Sequence, residues 1–146
     1  MKRTILPTLL TFLMISAGFA DDFSGPADVT DGDTLTVAGT SVHLAGIAAP
    51  PLDQWCQRND KAIPCGVIAR GALLDLVTAM TVTCRLTGAT FQNQPDAVCS
   101  AGGFGINANM VYTGWALPLP GTDHDLTRDG AREDQRGLWA TNYVMK

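Results

Sequence analysis

The stretch from Val29 to Pro50 reads Val-Thr-Asp-Gly-Asp-Thr-Leu-Thr-Val-Ala-Gly-Thr-Ser-Val-His-Leu-Ala-Gly-Ile-Ala-Ala-Pro, and its pattern decides the fold. Leu35 and Val37 alternate with Thr34 and Thr36, the two-residue period of a strand with one buried face. Ala38-Gly39-Thr40 is a turn signal, and Val42-His43-Leu44 resumes the alternation. The stretch is therefore a β-hairpin. Ala48-Ala49-Pro50-Pro51 ends it, because proline removes a ladder donor.

Outward from the hairpin, Asp21 to Asp28 reads as a loose lead-in. Gly66 to Met80 has an apolar stripe at three and four spacing (Val67, Ile68, Leu73, Leu74, Leu76, Val77) and predicts a helix. Thr81 to Leu86 and Ala97 to Ser100 predict strands, with Thr87 to Asp96 as a polar loop between them. Ile106 to Tyr112 predicts a short helix followed by Gly114, and Leu126 to Arg136 a last helix stopped by Gly137. Trp115 and Trp139 read as lids on the core. Strands first and helices interleaved later is an α+β pattern.

The first 20 residues read as a leader rather than as fold. Lys2 and Arg3 precede the apolar run Ile5 to Ala17, and Gly18-Phe19-Ala20 ends in a small-x-small cleavage pattern. The run is short for a membrane span; a retained anchor helix is the competing reading. On the signal-peptide reading, residues 21–146 form a single domain that is exported to the periplasm or beyond and has no membrane span of its own. Losing Lys2 and Arg3 takes the formal charge from −4 to −6. Lysine and arginine supply most affinity for phosphate backbones, so this acidic balance disfavours nucleic acid as a partner.

The four cysteines, Cys56, Cys65, Cys84 and Cys99, all follow the leader. An even count behind a leader implies two disulfides. Spacing allows three pairings, and local loop closure favours Cys56–Cys65 with Cys84–Cys99. No two cysteines lie at zinc-ligand spacing and both histidines are remote, which argues against zinc.

The ordered set of segments resembles the thermonuclease (staphylococcal nuclease-like) family from about Val29 to Trp139. Asp31-Gly32-Asp33-Thr34 matches its DGDT turn, Leu44-Ala45-Gly46-Ile47 and Pro50 its next strand and proline, and Gln54, Cys56, Cys65-Gly66 and Ala69 its disulfide-bearing bacterial branch. Ala97-Val98-Cys99, Asn107, Met110-Val111, Gly114-Trp115-Ala116, Ala131-Arg132 and Gly137-Leu138-Trp139 continue the match. The resemblance implies a five-stranded OB-fold-type β-barrel with three helices.

It also implies a chemistry that this chain has lost. The family's phosphodiester cleavage uses a calcium ion, a carboxylate beside the attacking water and two arginine clamps. Asp33 falls on the first calcium-ligating aspartate and Asp31 on its neighbour. Ala48 stands where the other calcium aspartate belongs, and Ala49 where a threonine offers its carbonyl. Pro51 replaces the catalytic glutamate, His43 the first arginine and Gln94 the second. Leu117-Pro118-Leu119-Pro120 occupies the region of the substrate-stacking tyrosines. Confident catalytic residues are therefore absent, and Asp31 and Asp33 leave at most weak calcium binding; no cofactor is expected.

Other residues carry two readings each. His43 is a new base or metal ligand, or a strand residue filling a vacated slot. Asp31 and Asp33 hold calcium, or persist because their side chains bond their own turn. His124 joins Asp123 and Asp125 on a metal, or belongs to a solvated loop capping the last helix. Trp55 packs on the neighbouring disulfide, or grips a partner at the edge of the old groove. The expectation is an inactive nuclease-fold module that binds protein or glycan. The alternative is a divergent metal-dependent phosphodiesterase, acting on DNA or RNA, with a site rebuilt on Asp31, Asp33 and His43.

Overall fold

The computed structural model describes residues 21–122 and 124–146, apart from the side chains of Asp125 and Leu126. The leader segment and Asp123 lie outside the described residues.

The lead-in is ordered into two short strands, β1 (Phe23–Gly25) and β2 (Ala27–Val29). The expected hairpin follows as β3 (Thr34–Val37) and β4 (Thr40–Leu44), then β5 (Ile47–Ala48). Ala38 and Gly39 both take positive φ, 49° and 77°, the turn geometry whose twist matches that of the flanking strands. A small hairpin, β6 (Cys56–Arg58) and β7 (Lys61–Ile63), leads into α1 (Cys65–Val77). The helix stops three residues before the predicted Met80. Thr78 leaves helical geometry and Ala79 turns left-handed (φ 59°), redirecting the chain into β8.

The segment Thr87 to Asp96 is not a loop. β8 runs Val82–Phe91 and β9 runs Gln94–Ala101, joined by Gln92 and Asn93, both at positive φ. The register slips between Leu86 and Thr90, and Gly88 sits in that irregularity at φ 85°. Polar composition reads as a loop on propensity, but a two-stranded ribbon with both faces partly wet tolerates it. Next come β10 (Phe104–Gly105), α2 (Ile106–Tyr112), β11 (Leu117–Pro118) and α3 (Asp125–Glu133). A 3-10 turn closes the order at Gly137–Ala140. α3 ends before the predicted Arg136. Gln135, at φ 50°, takes the left-handed position, with Arg136 N–H bonded to Ala131 O and Gln135 N–H to Arg132 O. That pair of bonds is a Schellman ending, in which glycine is the usual residue.

The main sheet follows the path β1-β8-β9-β4-β3-β2, with β10 on β9. Among the described residues only β4 and β9 run parallel, pairing His43 with Asp96 and Leu44 with Ala97. β1 and β2 occupy opposite ends of the path yet are separated by Pro26 alone. The sheet must therefore curl until its ends meet at one chain bend, an OB-like shape whose hydrogen-bonded ladder stays open. The α+β class with three helices stands.

Inside the curl lie Leu35, Val37, Val42, Leu44, Ile106 and Met110, all fully buried. Each such side chain contributes roughly 1.5–3 kcal/mol of burial. Asn107 fastens α2 to the sheet: its Oδ1 accepts from Cys99 N–H, and its Nδ2 donates to Ala45 O and Ala97 O. Both disulfides adopt the local pairing, Cys56–Cys65 and Cys84–Cys99, the second joining opposed residues of β8 and β9. Trp115 packs against both core clusters, whereas Trp139 is half-buried under the Arg132 guanidinium. Among the described residues no helix is long and apolar enough to cross a membrane.

Candidate functional site

The turn carrying Asp31 and Asp33 is made by local bonding. Asp31 Oδ1 accepts the Asp33 N–H at 3.1 Å, the side-chain-to-backbone bond expected of an Asp-Gly-Asp turn. Gly32 lets the turn lie against α1 and the strand exit. A Cβ there would stand 2.6 Å from the Ala49 Cβ and 2.8 Å from the Ala69 Cβ. Gly66 does the same one turn earlier in the helix, where a Cβ would collide with the Pro51 carbonyl. These contacts bring Asp33, Ala49 and Pro51 together.

Asp33 is 8% exposed. Its Oδ2 accepts the Ala49 N–H at 2.7 Å and its Oδ1 accepts the Thr34 hydroxyl at 3.0 Å. Burial pushes its carboxyl from the ordinary 3.8 up to about 6; the Ala49 N–H opposes the rise, Asp31 adds to it, and His43 opposes it weakly. His43 is 1% exposed. Its Nδ1 lies 2.7 Å from Asp96 Oδ1, its ring stacks on Phe91 with centroids 4.2 Å apart, and its Nε2 lies 3.8 Å from Asp33 Oδ2. With Nδ1–H donating to Asp96, the Nε2 lone pair is a buried acceptor with no hydrogen-bond partner among the described residues. The strand reading of His43 therefore describes its position: its ring is held at the Nδ1 edge by Asp96 and on one face by Phe91.

The residues that carry this clamp lie in the segment read as a loop. Asp96 and Phe91 reach His43 only because β8 and β9 extend past the point where the apolar alternation ends. The parallel pairing of His43 with Asp96 was invisible in sequence, since the two are 53 positions apart. Gln94 sits at the start of β9 and donates from its amide to the Ser41 hydroxyl at 2.7 Å. Ala48 is buried in β5 opposite Leu117, and Pro51 is exposed. Tyr143, also unforeseen, comes in from the chain end; burial, and then the charge of Asp33, hold its phenol above the usual range.

The donor set left at the calcium positions is thin. Calcium takes six to eight oxygens. Ala48 and Ala49 supply no side-chain oxygen, and both Asp33 oxygens already accept protein hydrogen bonds. Among the described residues, no three His, Cys, Asp or Glu side chains gather as a metal site. His124 is half-buried beside Gly46, and its two expected partners lie outside what is described.

Trp55 does not pack away on the disulfide: it is 60% exposed, with Leu52 at 44% and Pro51 beside them. The backbone here is firmly held, with Gln54 N–H bonded to Pro51 O and Gly66 N–H to Gln54 O. An apolar rim thus borders the closed polar cluster.

The chain is 30% identical over 144 residues to the succinoglycan biosynthesis protein ExoI of Rhizobium meliloti (strain 1021), an alignment spanning 94% of this chain and 75% of that protein. No family model matches the chain.

Proposed function

From a chain that belongs to the family of the succinoglycan biosynthesis protein ExoI, we propose an exported thermonuclease-like domain that has given up phosphodiester cleavage and binds a glycan. One observation carries the loss of catalysis. Two of the polar groups left at the family's active positions are turned inward: His43 and Asp33 are buried and engaged with Asp96, Thr34 and Ala49. A phosphate arriving from solvent meets neither base nor cation there. Groups of this kind act as a unit, so losing a metal ligand, an acid and two arginines together leaves negligible residual cleavage.

The relative's name supplies the ligand class, a polysaccharide, and the rim of Pro51, Leu52 and Trp55 supplies a surface. An exposed indole beside an apolar loop covers the apolar face of a sugar ring. Two disulfides fit the oxidising environment of the periplasm or the medium. The orphaned Nε2 of His43 favours the rival reading, a phosphodiesterase rebuilt on Asp31, Asp33 and His43.

The test pairs two assays on the oxidised protein. DNA and RNA cleavage is measured with calcium, magnesium, manganese or zinc, beside Asp33→Asn and His43→Ala. Retardation in gels containing bacterial exopolysaccharide is measured beside Trp55→Ala. We expect no cleavage above the variants, and retardation that Trp55→Ala weakens. Cleavage present in the parent and lost in both variants establishes the rival instead.

A further inference from the structure

A second concave surface lies away from the Asp33 cluster. The tip of the β6–β7 hairpin faces the turn between α3 and the final 3-10 segment across a cleft of about 530 Å³. Arg58 and Asn59 line one side; Asp134, Gln135, Trp139 and Thr141 line the other. That volume lies within the range of about 300–1,000 Å³ usual for small-molecule sites. The two walls are tied together next to the lining residues Arg58 and Thr141. Asn142 binds the outer edge of β6, accepting the Gln57 N–H on its side chain and donating its own N–H to Gln57 O.

Its lining is polar and largely unspent. Among the described residues the Arg58 guanidinium has no ion-pair partner, and the Asn59 and Gln135 amides make no side-chain hydrogen bond. Asp134 meets Arg136 through Oδ2 at 3.5 Å, leaving Oδ1 without a protein partner. Among the described residues the Trp139 Nε1, in the same lining, is buried without a hydrogen-bond partner. Asn59 and Gln135 both line the cleft from left-handed backbone positions, φ 49° and 50°. For glutamine at a Schellman position, where glycine is favoured, that geometry costs on the order of 1 kcal/mol. Such costs concentrate at ligand clamps.

We propose that this cleft binds a carboxylate-bearing saccharide. Two neutral amides supply donors and acceptors, and a carboxylate accepts from paired ring hydroxyls. The free guanidinium takes the ligand carboxylate through two parallel bonds. The proposal takes its ligand class from the glycan reading above but uses a different surface from the Trp55 rim.

The test is an NMR titration of isotope-labelled, oxidised protein with trigalacturonate and, separately, with neutral maltotriose. We expect trigalacturonate to shift the Asn59 and Gln135 amides and the Trp139 indole signal, and maltotriose to bind about tenfold more weakly, the loss of one charge-assisted contact. Arg58→Gln should cost trigalacturonate about tenfold and leave maltotriose unchanged. Gln135→Gly should cost about fivefold while leaving the melting temperature equal or higher, a split that a purely structural glutamine would not give. Equal affinity for the two sugars, indifference to Arg58→Gln, or no shift with either sugar overturns the proposal. Shifts confined to Trp55 overturn it while leaving the rim reading intact, and Trp55→Ala separates the two surfaces.

Discussion

Replacing Asp33 by asparagine should make the protein more stable at neutral pH, although the residue lies at the centre of the family's active position. The carboxyl is held at about 6 instead of 3.8 because it is buried. Between those two values the folded chain keeps a proton that the unfolded chain has released. A raised carboxyl pKa thus lends stability that is complete below about pH 4 and lost as pH rises to about 6. At about pH 7 the buried charge costs about 3 kcal/mol. Asparagine is the same size. Its oxygen still accepts the Ala49 N–H, and its amide can donate to the Thr34 hydroxyl. The expectation at about pH 7.5 is about 3 kcal/mol of added stability, or about 10 °C in Tm. At about pH 4, where the parent carboxyl is already neutral, the two proteins should be nearly equal. Urea unfolding at both pH values, with disulfides intact, measures this. A variant less stable than the parent at about pH 7.5, or a difference independent of pH, refutes the reasoning.

Three further expectations follow from the geometry. Asn107→Ala should destabilise by about 2–4 kcal/mol, because it leaves the Cys99 N–H and the Ala45 and Ala97 carbonyls short of a buried partner; denaturant melts read it directly. The Cys84→Ala, Cys99→Ala pair, whose link closes a separation of 15 residues, should lower unfolding free energy by about 3 kcal/mol, measured against the oxidised parent. Calcium at about 5 mM should move the melting temperature by less than about 1 °C, since a ligand that binds only the folded state would raise it by mass action.

The hairpin, the two later helices and both disulfides were legible because each is local. Alternation at Leu35, Val37 and Val42, and cysteines close in sequence, need no knowledge of the rest of the chain. The Thr87 to Asp96 segment was not legible. Its strands are stabilised by pairing and by a His43–Phe91 stack, and its sequence lacks the alternation that a one-sided sheet imposes. The site divides the same way. Missing side chains at Ala48, Ala49 and Pro51 are visible in any sequence. What took over the space is a tertiary fact: Asp96 meets His43 through a parallel pairing that no local pattern announces. The end of α3 misled for a related reason. Gly137 draws the eye as a stop signal, but Gln135 already occupies the left-handed position two residues earlier.

The curl of the sheet also bears on how copies of this molecule behave when crowded together. Its two terminal strands, β1 and β2, have three residues each, and Pro26 between them offers no N–H. The one long ribbon is interrupted on β8 by the irregularity at Gly88 and carries Pro95 on β9. A flat row of unpaired backbone groups is the template on which a second chain would align and begin a cross-molecular sheet. Here that row is cut into lengths too short to seed one. The longest strands, ten residues on β8 and eight on β9, are thereby guarded against such pairing by the course of the backbone itself.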